Sequence, residues 1–183
     1  DAVTELASLD GRQVFITGAN GFVGRALADR CRSLGADVMG LDTVAALDRG
    51  VVAGDITDPA PWQGLLHGCD LMIHTAAVMT NNVDPAVAWS VNVVGTRRVI
   101  EAAVDAGVGR FVHLSSMGVA RFAQTQTEAV RRFNPDAPLD ERWPLMPTGN
   151  PYTDTKIAAE HAVLAAHAAG ELTATIIRPA DVY

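Results

Sequence analysis

The sequence predicts an α/β fold in which helices cover both faces of a doubly wound parallel sheet. Two observations lead to this prediction. Short, continuous apolar runs alternate along the chain with helical segments, and a glycine-rich turn joins the first run to the first helix. Parallel strands that are buried on both faces give continuous apolar runs rather than alternating patterns. The 183 residues are enough for one domain with a substantial core.

The elements are predicted from apolar runs, glycine stops and proline starts. Gly35, Gly107 and Gly170 come just after three helical segments, where a glycine commonly ends a helix. Pro85 and Pro151 stand at two helix starts, where a missing N–H costs nothing. In chain order, the predicted strands are Gln13–Thr17, Asp37–Leu41, Val51–Ala53, Leu71–Thr75, Arg110–Leu114 and Thr173–Arg178. The predicted helices are Phe22–Ser33, Pro61–Leu66, Pro85–Ala106 and Pro151–Ala168, with a further short helix at Gln124–Arg132 in the long irregular stretch 120–150.

Charge and composition argue against several classes of protein. The chain carries 14 basic and 21 acidic residues, a net charge of −7, which disfavours binding to nucleic acid or anionic membranes. No apolar run is long enough to span a membrane, and residues 1–10 lack the pattern of a signal peptide. Cys31 and Cys69 are isolated in the sequence, which predicts reduced thiols and a cytoplasmic location. The histidines show no metal-ligand spacing, so no metal is expected.

A glycine-rich turn follows the first predicted strand and opens the first predicted helix. Gly18, Gly21 and Gly24 recur at every third position, so the backbone can turn sharply and approach a pyrophosphate. The unpaired N–H groups at the start of the helix would then bind the negative charge. The candidate cofactor-binding residues of this turn are Gly18, Asn20, Gly21, Phe22, Val23 and Gly24.

Asp42 follows the second predicted strand, 24 residues after Gly18. A carboxylate at this place can accept hydrogen bonds from both hydroxyls of an adenosine ribose, and it repels a 2′-phosphate. No arginine adjoins Asp42 in the sequence, so the predicted cofactor is NAD rather than NADP. The alternative interpretation is an ordinary strand–turn–helix unit with a solvated aspartate.

A tyrosine and a lysine four residues apart begin the last predicted helix. Tyr152 and Lys156 therefore lie on one helix face, one turn apart. The ammonium is expected to lower the pKa of the tyrosine, which can then exchange a proton with a substrate hydroxyl. Ser115 and Ser116 follow the fifth predicted strand, at the end where doubly wound sheets bind ligands. The alternative interpretation is a surface tyrosine packed beside a lysine stem.

Seven segments that span the chain carry a family resemblance. They are Thr17-Gly18-Ala19-Asn20-Gly21-Phe22-Val23-Gly24, Gly54-Asp55-Ile56, His74-Thr75-Ala76-Ala77, Asn92-Val93-Val94-Gly95-Thr96, Leu114-Ser115-Ser116, Tyr152-Thr153-Asp154-Thr155-Lys156 and Arg178-Pro179-Ala180-Asp181-Val182-Tyr183. On these segments the chain resembles the extended short-chain dehydrogenase/reductases, the NAD-dependent epimerase/dehydratase family. The resemblance implies a Rossmann fold over residues 1–183. It also implies a smaller substrate domain beyond Tyr183, which is largely absent from this sequence.

The resemblance also implies roles for individual residues. It makes Ser116, Tyr152 and Lys156 the catalytic residues, and Ser116 is preferred to Ser115 because it stands three residues before Val119. The implied cofactor contacts are Asp55 and Ile56 at the adenine, Ala76 and Ala77 along the phosphates and ribose, Asn92 near the nicotinamide half, Pro179 beside the carboxamide, and Tyr152 and Lys156 themselves.

Three of the residues in these segments also have a structural interpretation. Asp55 can begin a turn with the following Asp58-Pro59. Asn92 can bridge strand carbonyls from inside a helix, since buried amides need partners. His74 is expected to be a packed strand residue rather than a catalyst.

The segments narrow the predicted activity to an NAD-dependent oxidoreductase or epimerase. Its substrate would be a secondary alcohol or ketone of a nucleotide sugar or a sterol-like compound. Met117-Gly118 stands where nucleotide-sugar 4,6-dehydratases carry an Asp-Glu pair, so dehydration is not expected. The segments around His74 and Tyr152 lean towards the 3β-hydroxysteroid dehydrogenase-like branch, and residues 120–137 look inserted. The alternatives are a non-catalytic NAD-binding regulator and an inactive fragment of such an enzyme.

The two longest predicted helices indicate a homodimer. Pro85–Ala106 and Pro151–Ala168 carry apolar residues over more than the single stripe that packs on a sheet. The resemblance implies that these helices pair across a two-fold axis. Ala162 and Ala166 are the candidate contacts, with Tyr152 and Lys156 on the opposite, sheet-facing edge.

Overall fold

Six parallel strands form the sheet, in the order β3-β2-β1-β4-β5-β6. The computed structural model describes residues 8–79, 83–120, 141, 145–180 and 182. The strands are β1 (Gln13–Thr17), β2 (Asp37–Asp42), β3 (Val51–Ala53), β4 (Leu71–His74), β5 (Arg110–Leu114) and β6 (Ala174–Ile177). The order reverses between β1 and β4, and ligands of doubly wound sheets bind outside the carboxyl ends of the strands at such a reversal. The predicted fold class is confirmed.

The helices depart from the predictions in three places. Those whose bounds lie within the described residues are α1 (Phe22–Ser33), α2 (Pro85–Trp89), α3 (Thr96–Asp105) and α4 (Pro151–Ala168). The predicted helix Pro61–Leu66 is a short 3-10 turn that begins at Gln63, and a second 3-10 turn, unpredicted, covers Leu47–Arg49. The predicted helix Pro85–Ala106 is interrupted by a π-helical turn at Ser90–Gly95, which separates α2 from α3. The predicted helix Gln124–Arg132 lies outside the described residues.

Alternate strand residues build two apolar layers. Phe15, Met72 and Phe111 project to the face that α3 and α4 cover, and they are at most 2% exposed. Ile16 and Ile73 project to the other face, where they pack with α1. Full burial of such a side chain contributes about 1.5–3 kcal/mol to stability, so the two layers hold the sheet between its helices.

The face that α3 and α4 cover becomes polar at the carboxyl ends of the central strands. Thr17, His74 and His113 follow Phe15, Met72 and Phe111 on this face, and all three are buried. Side chains two residues apart on a strand share a face. The alternation of side chains along each strand therefore places these polar residues on the same face as the core residues before them. It lies directly beneath the ligand-binding edge of the sheet.

Candidate dinucleotide and active site

The glycine-rich turn is too tightly packed to admit side chains at two of its positions. Gly18 has φ +70°, and a Cβ there would lie 2.8 Å from the backbone nitrogen of Ala76. A Cβ on Gly24 would overlap the carbonyl oxygen of Gly18. These two glycines let the first turn of α1 fold back against the end of β4, as a close backbone approach to a ligand requires.

The start of α1 fits a pyrophosphate. Gly21 precedes the helix without a side-chain cap, and the first turn contains no acidic residue. The first N–H groups of a helix have no intrahelical partner, so those of Phe22, Val23 and Gly24 remain to be satisfied by a ligand or solvent. The Phe22 side chain is 70% exposed, so it lies on the solvent side of this turn.

Asp42 is held at the end of β2 by backbone donors. Its carboxylate accepts hydrogen bonds from the N–H of Asn20 at 2.9 Å and from the N–H of Thr43 at 2.8 Å. The same Asn20 accepts from Arg49 at its side-chain oxygen (2.6 Å) and from Arg25 at its backbone oxygen (3.1 Å). Two arginines therefore contact Asn20, whose N–H binds the Asp42 carboxylate, although neither arginine adjoins Asp42 in the sequence.

Asp55 and Ile56 follow β3 and differ in their surroundings. One oxygen of Asp55 accepts from the N–H and the hydroxyl of Thr57, both at 2.8 Å, and the Asp55 carbonyl accepts from the N–H of Asp58. Asp55 thus begins the turn that its structural interpretation predicts, and this also fixes its carboxylate at the surface. The Ile56 side chain is buried in the core against Gly95.

Asn92 bridges two segments of the site. Its amide exchanges hydrogen bonds with both backbone groups of Val78, at 2.8 and 3.0 Å, and donates to the hydroxyl of Thr155 at 3.0 Å. Asn92 therefore bridges backbone groups as its structural interpretation predicts, but those of Val78 after β4 rather than strand carbonyls, and it ties this segment to α4. Ala76 and Ala77 lie in that segment, at the edge beside the glycine-rich turn.

Lys156 is buried one turn after Tyr152. Its ammonium donates to the carbonyl of Leu114 at 2.8 Å, and burial lowers its pKa to about 8, an effect that Glu160 partly offsets. It is the only lysine in the sequence, a signal that sequence reasoning could have used. The pKa of Tyr152 is raised by burial, not lowered as expected, because the ammonium points at the Leu114 carbonyl of the sheet.

The first turn of α4 is fixed by its own polar residues. Asn150 caps the helix by accepting from the N–H of Thr153 at 3.0 Å. Asp154 accepts from the N–H of Thr148 at 2.6 Å and from the N–H of Gly149 at 3.0 Å. These bonds hold the turn that carries Tyr152 against the preceding loop.

Ser116 lies between β5 and the first turn of α4. Its hydroxyl accepts from the N–H of Gly118 at 3.1 Å, and a Cβ on Gly118 would lie 3.2 Å from that hydroxyl and 3.8 Å from the hydroxyl of Thr153. The carbonyl of Pro179 accepts from the N–H of Met117 at 2.9 Å, so the segment after β6 supports the serine turn. Ser115 is buried, and its hydroxyl has no partner among the described residues.

One contact near the site was missed by the sequence analysis. Glu160 on α4 is fully buried and receives two parallel hydrogen bonds from Arg178, the shortest at 2.8 Å. Both residues belong to recognised segments, but nothing in their spacing indicates that they pair. The ion pair holds the end of β6 against the middle of α4.

A groove of about 470 Å³ lies between α4 and β6, and Val163, Leu164 and Ile176 are among its lining residues. Leu164 is twelve positions beyond Tyr152, which corresponds to about 18 Å along a helix. Met117, which follows Ser116, and Arg178, which precedes Pro179, also line the groove, so it extends from this part of α4 to the segments after β5 and β6.

The profile of the NAD dependent epimerase/dehydratase family matches residues 14–183. The fold and the arrangement of the glycine-rich turn with Tyr152 and Lys156 define a dinucleotide-binding domain of the dehydrogenase type. The chain belongs to the NAD-dependent epimerase/dehydratase family, as its sequence segments predict. NAD, the predicted cofactor, is the cofactor of this family.

Individual relatives agree with this assignment. The sterol demethylase protein B of Methylococcus capsulatus is 35% identical, over 91% of this chain and 50% of that protein. The 3 beta-hydroxysteroid dehydrogenase/Delta 5-->4-isomerase of Mycobacterium tuberculosis is 31% identical, over 93% of this chain and 47% of that protein. A crystal structure of a short-chain dehydrogenase/reductase superfamily protein from Agrobacterium tumefaciens with bound NAD is 32% identical with a TM-score of 0.77, over 91% of this chain and 48% of that one. The chain spans about half the length of the curated relatives it matches.

Proposed function

We propose that this chain is the cofactor-binding and catalytic part of an NAD-dependent oxidoreductase that acts on a secondary alcohol or ketone of a sterol-like substrate. The observation that carries the proposal is the burial of the only lysine, Lys156, one helical turn after Tyr152. Burial of a lysine costs free energy. If Tyr152 and Lys156 were only a tyrosine packed beside a lysine stem at the surface, burial of the lysine would not be needed. Perturbed titratable groups at the ligand-binding end of a sheet are typical of catalytic sites.

The residues of the site divide the chemistry between them. NAD, when bound, supplies a hydride acceptor. The start of α1 would hold its pyrophosphate, and Asp42 would accept from the hydroxyls of its adenosine ribose. Ser116 would orient the substrate oxygen, and the phenol of Tyr152 would exchange a proton with it. With a pKa of about 8, Lys156 is still mostly protonated at neutral pH and can favour the phenolate when a ligand draws it towards Tyr152.

The sterol-like substrate class rests on the relatives. Two of them carry sterol or steroid chemistry in their names, and the segments around His74 and Tyr152 lean the same way. The second candidate is epimerisation of a nucleotide sugar, which the family description favours. Met117-Gly118 supplies no carboxylate beside Ser116, so elimination of water is disfavoured in both cases.

Turnover by the complete protein tests the proposal. Reduction of NAD is followed by absorbance with hydroxysteroids and with nucleotide sugars, for the unsubstituted protein and for Tyr152→Phe. We expect activity with a hydroxysteroid, and we expect Tyr152→Phe to abolish it while NADH binding stays nearly unchanged, because only the transferable proton is lost. Ser116→Ala should be milder, on the order of 10²-fold.

The outcomes separate the rival functions. Activity with nucleotide sugars alone would select the epimerase alternative. Near-normal turnover of Tyr152→Phe would remove Tyr152 from its assigned role. NADH binding without turnover of either substrate class would favour the non-catalytic regulator or an inactive fragment.

We also propose that the protein is a cytoplasmic homodimer. Both cysteines are buried free thiols, which supports a reducing compartment. Val87 and Trp89 on α2 are about half exposed, and apolar groups of this size on a helical face favour an interface. Among the described residues, none of the helices is long and apolar enough to cross a membrane.

A further inference from the structure

A continuous row of hydrogen bonds crosses the interior from the glycine-rich turn to the catalytic helix. It starts at Thr17, the last residue of β1, and passes through His74 on β4 to Thr96 at the start of α3. From Thr96 it continues to the backbone carbonyl of Asn92 in the π-helical turn, and the side-chain amide of the same Asn92 binds Thr155 on α4. Each of these five side chains is at most 2% exposed. The row therefore joins the two halves of the site through the core.

The first half of the row has a single direction. The backbone carbonyl oxygen of Asn92 can only accept, so the hydroxyl of Thr96 donates to it at 2.7 Å. Thr96 must then accept from Nε2–H of His74 at 2.9 Å. This leaves Nδ1 of His74 as the acceptor for the hydroxyl of Thr17 at 2.6 Å. The contacts therefore assign one neutral tautomer to His74.

The second half continues in the same direction. The side-chain amide nitrogen of Asn92 can only donate, and it gives a hydrogen bond to the hydroxyl of Thr155 at 3.0 Å. That hydroxyl donates to the carbonyl of Tyr152 at 2.7 Å. At the other end, Thr17 accepts from the N–H of Ala76 at 3.4 Å, in the segment beside the glycine-rich turn. Every hydroxyl in the row thus both donates and accepts.

The row has little freedom to rearrange. Burial and, to a smaller extent, the charge of Lys156 lower the pKa of His74 to about 3, so the ring stays neutral across the physiological range. Loss of one link would leave a buried donor or acceptor without a partner, which destabilises that arrangement. A displacement at one end must therefore be matched along the row.

We propose that His74 is a positioning residue that couples the dinucleotide cradle, through Thr96 and Asn92, to the helical turn that carries Tyr152. The inference rests on the proposed function, because it assigns the row a role in placing Tyr152 relative to the bound dinucleotide. A merely structural row would affect the free energy of unfolding and leave the properties of the folded site unchanged.

The test uses two substitutions of Thr96. Thr96→Val removes the hydroxyl at nearly constant volume, and Thr96→Ser is the matched control that keeps it. Both are made in a Tyr183→Phe background, which leaves Tyr152 as the only tyrosine. The dissociation constant of NADH is measured by fluorescence titration. The ionisation of Tyr152 is followed by ultraviolet absorbance with and without NAD.

The two readouts have defined expectations. Thr96→Val should weaken NADH binding about fivefold or more, the usual scale of coupling between sites. The oxidised nicotinamide is positively charged, so bound NAD should lower the pKa of Tyr152, and this fall should be much smaller in Thr96→Val. Thr96→Ser should retain both properties. If Thr96→Val does not fold, Thr155→Val with its control Thr155→Ser breaks the same row at α4.

Three outcomes would overturn the inference. The first is a loss of thermal stability with both readouts unchanged in the valine variant. The second is an equal loss in the serine and valine variants, which would show that volume and not the hydroxyl matters. The third is failure of the unsubstituted chain to bind NADH, which would refute the proposed function as well, whereas the first two leave that function intact.

Discussion

The buried charge of Lys156 makes stability depend on pH. Its pKa is lowered to about 8 by burial, whereas a lysine in an unfolded chain titrates near 10.4. Between about pH 8 and pH 10 the unfolded chain therefore holds a proton that the folded chain has released. The contribution of Lys156 to the free energy of unfolding should rise with pH in this window, because the cost of the buried charge disappears. Cys31, Cys69 and Tyr152, whose pKa values are raised by burial, contribute in the opposite direction.

Urea unfolding of the unsubstituted chain and of Lys156→Met across this window checks the prediction. The methionine variant carries no titrating group at this position and keeps all the others, so the denaturation midpoint of the unsubstituted chain should rise with pH relative to that of the variant. Lysine labelled with ¹³C at Cε would give one side-chain resonance, since Lys156 is the only lysine, and its midpoint should lie near 8. Parallel pH profiles of the two proteins would contradict this account.

Asp42 should decide between the two nicotinamide dinucleotides. Asp42→Asn keeps the shape of the side chain and removes its charge, so NADH binding should weaken by about 1–3 kcal/mol. NADPH binding should strengthen relative to NADH, because Arg25 and Arg49 already contact Asn20 beside the carboxylate. Calorimetry with both dinucleotides measures the change, with the exposed Asp48→Asn as the matched control. Equal affinity of the unsubstituted chain for NADH and NADPH would refute the assignment.

Single residues show where sequence reasoning stops. Gly18 and Gly24 were predictable, because no other residue type fits a turn that folds back on itself. The hydrogen-bond partners of Asp55 and Asn92 were not predictable. From the same position in the sequence, a carboxylate or an amide can form hydrogen bonds with a ligand or with nearby backbone groups. The contact of Arg49 with Asn20, whose N–H binds Asp42, was also hidden, because the two residues lie 29 positions apart in the sequence.

At the scale of elements, the ion pair between α4 and β6 should contribute strongly to stability. Arg178→Met leaves the fully buried carboxylate of Glu160 without a partner, which costs about 3–5 kcal/mol in such cases. The double variant Glu160→Gln with Arg178→Met should recover part of this loss, because the uncompensated charge is gone. Urea unfolding measures both variants.

The matched control is Arg98→Met, which removes the exposed partner of Glu101 within α3. Both members of that pair are more than half exposed, so its loss should cost below about 1 kcal/mol. Equal effects of Arg98→Met and Arg178→Met would show that burial of the ion pair does not matter here.

The strands were easier to predict than the helical segment Pro85–Ala106 between β4 and β5. Continuous apolar runs gave strand bounds within one residue, because both faces of a parallel sheet are buried. The π-helical turn at Ser90–Gly95 has no local signal of that kind. It places Gly95 so close to Ile56 that a Cβ would lie 2.7 Å from the isoleucine side chain, a contact made by tertiary packing alone.

At the scale of the whole molecule, the surface of α4 revises the predicted dimer contacts. Ala166 is 7% exposed and packs in the core, so the expectation that it contacts a partner is wrong. Ala162 is partly buried against the same core. The exposed positions include His161 and Ala165, which share a face because they are four residues apart. A helix twelve to eighteen residues long buries one face against the core. The sequence alone did not show which alanines of α4 lie on that buried face.

The revised geometry predicts that Ala165→Glu disrupts a homodimer. A charge at this exposed position should be tolerated by the folded chain, but it would be desolvated in an interface formed by α2 and α4. Ala26→Glu is the matched control, since Ala26 is exposed on α1 across the sheet. Sedimentation velocity at micromolar concentration should show dimers for the unsubstituted chain and Ala26→Glu, and monomers for Ala165→Glu. A monomeric unsubstituted chain would refute the dimer, and the apolar surface around Trp89 would then need another contact to cover it. A dimeric Ala165→Glu variant would show that the interface does not include this face of α4.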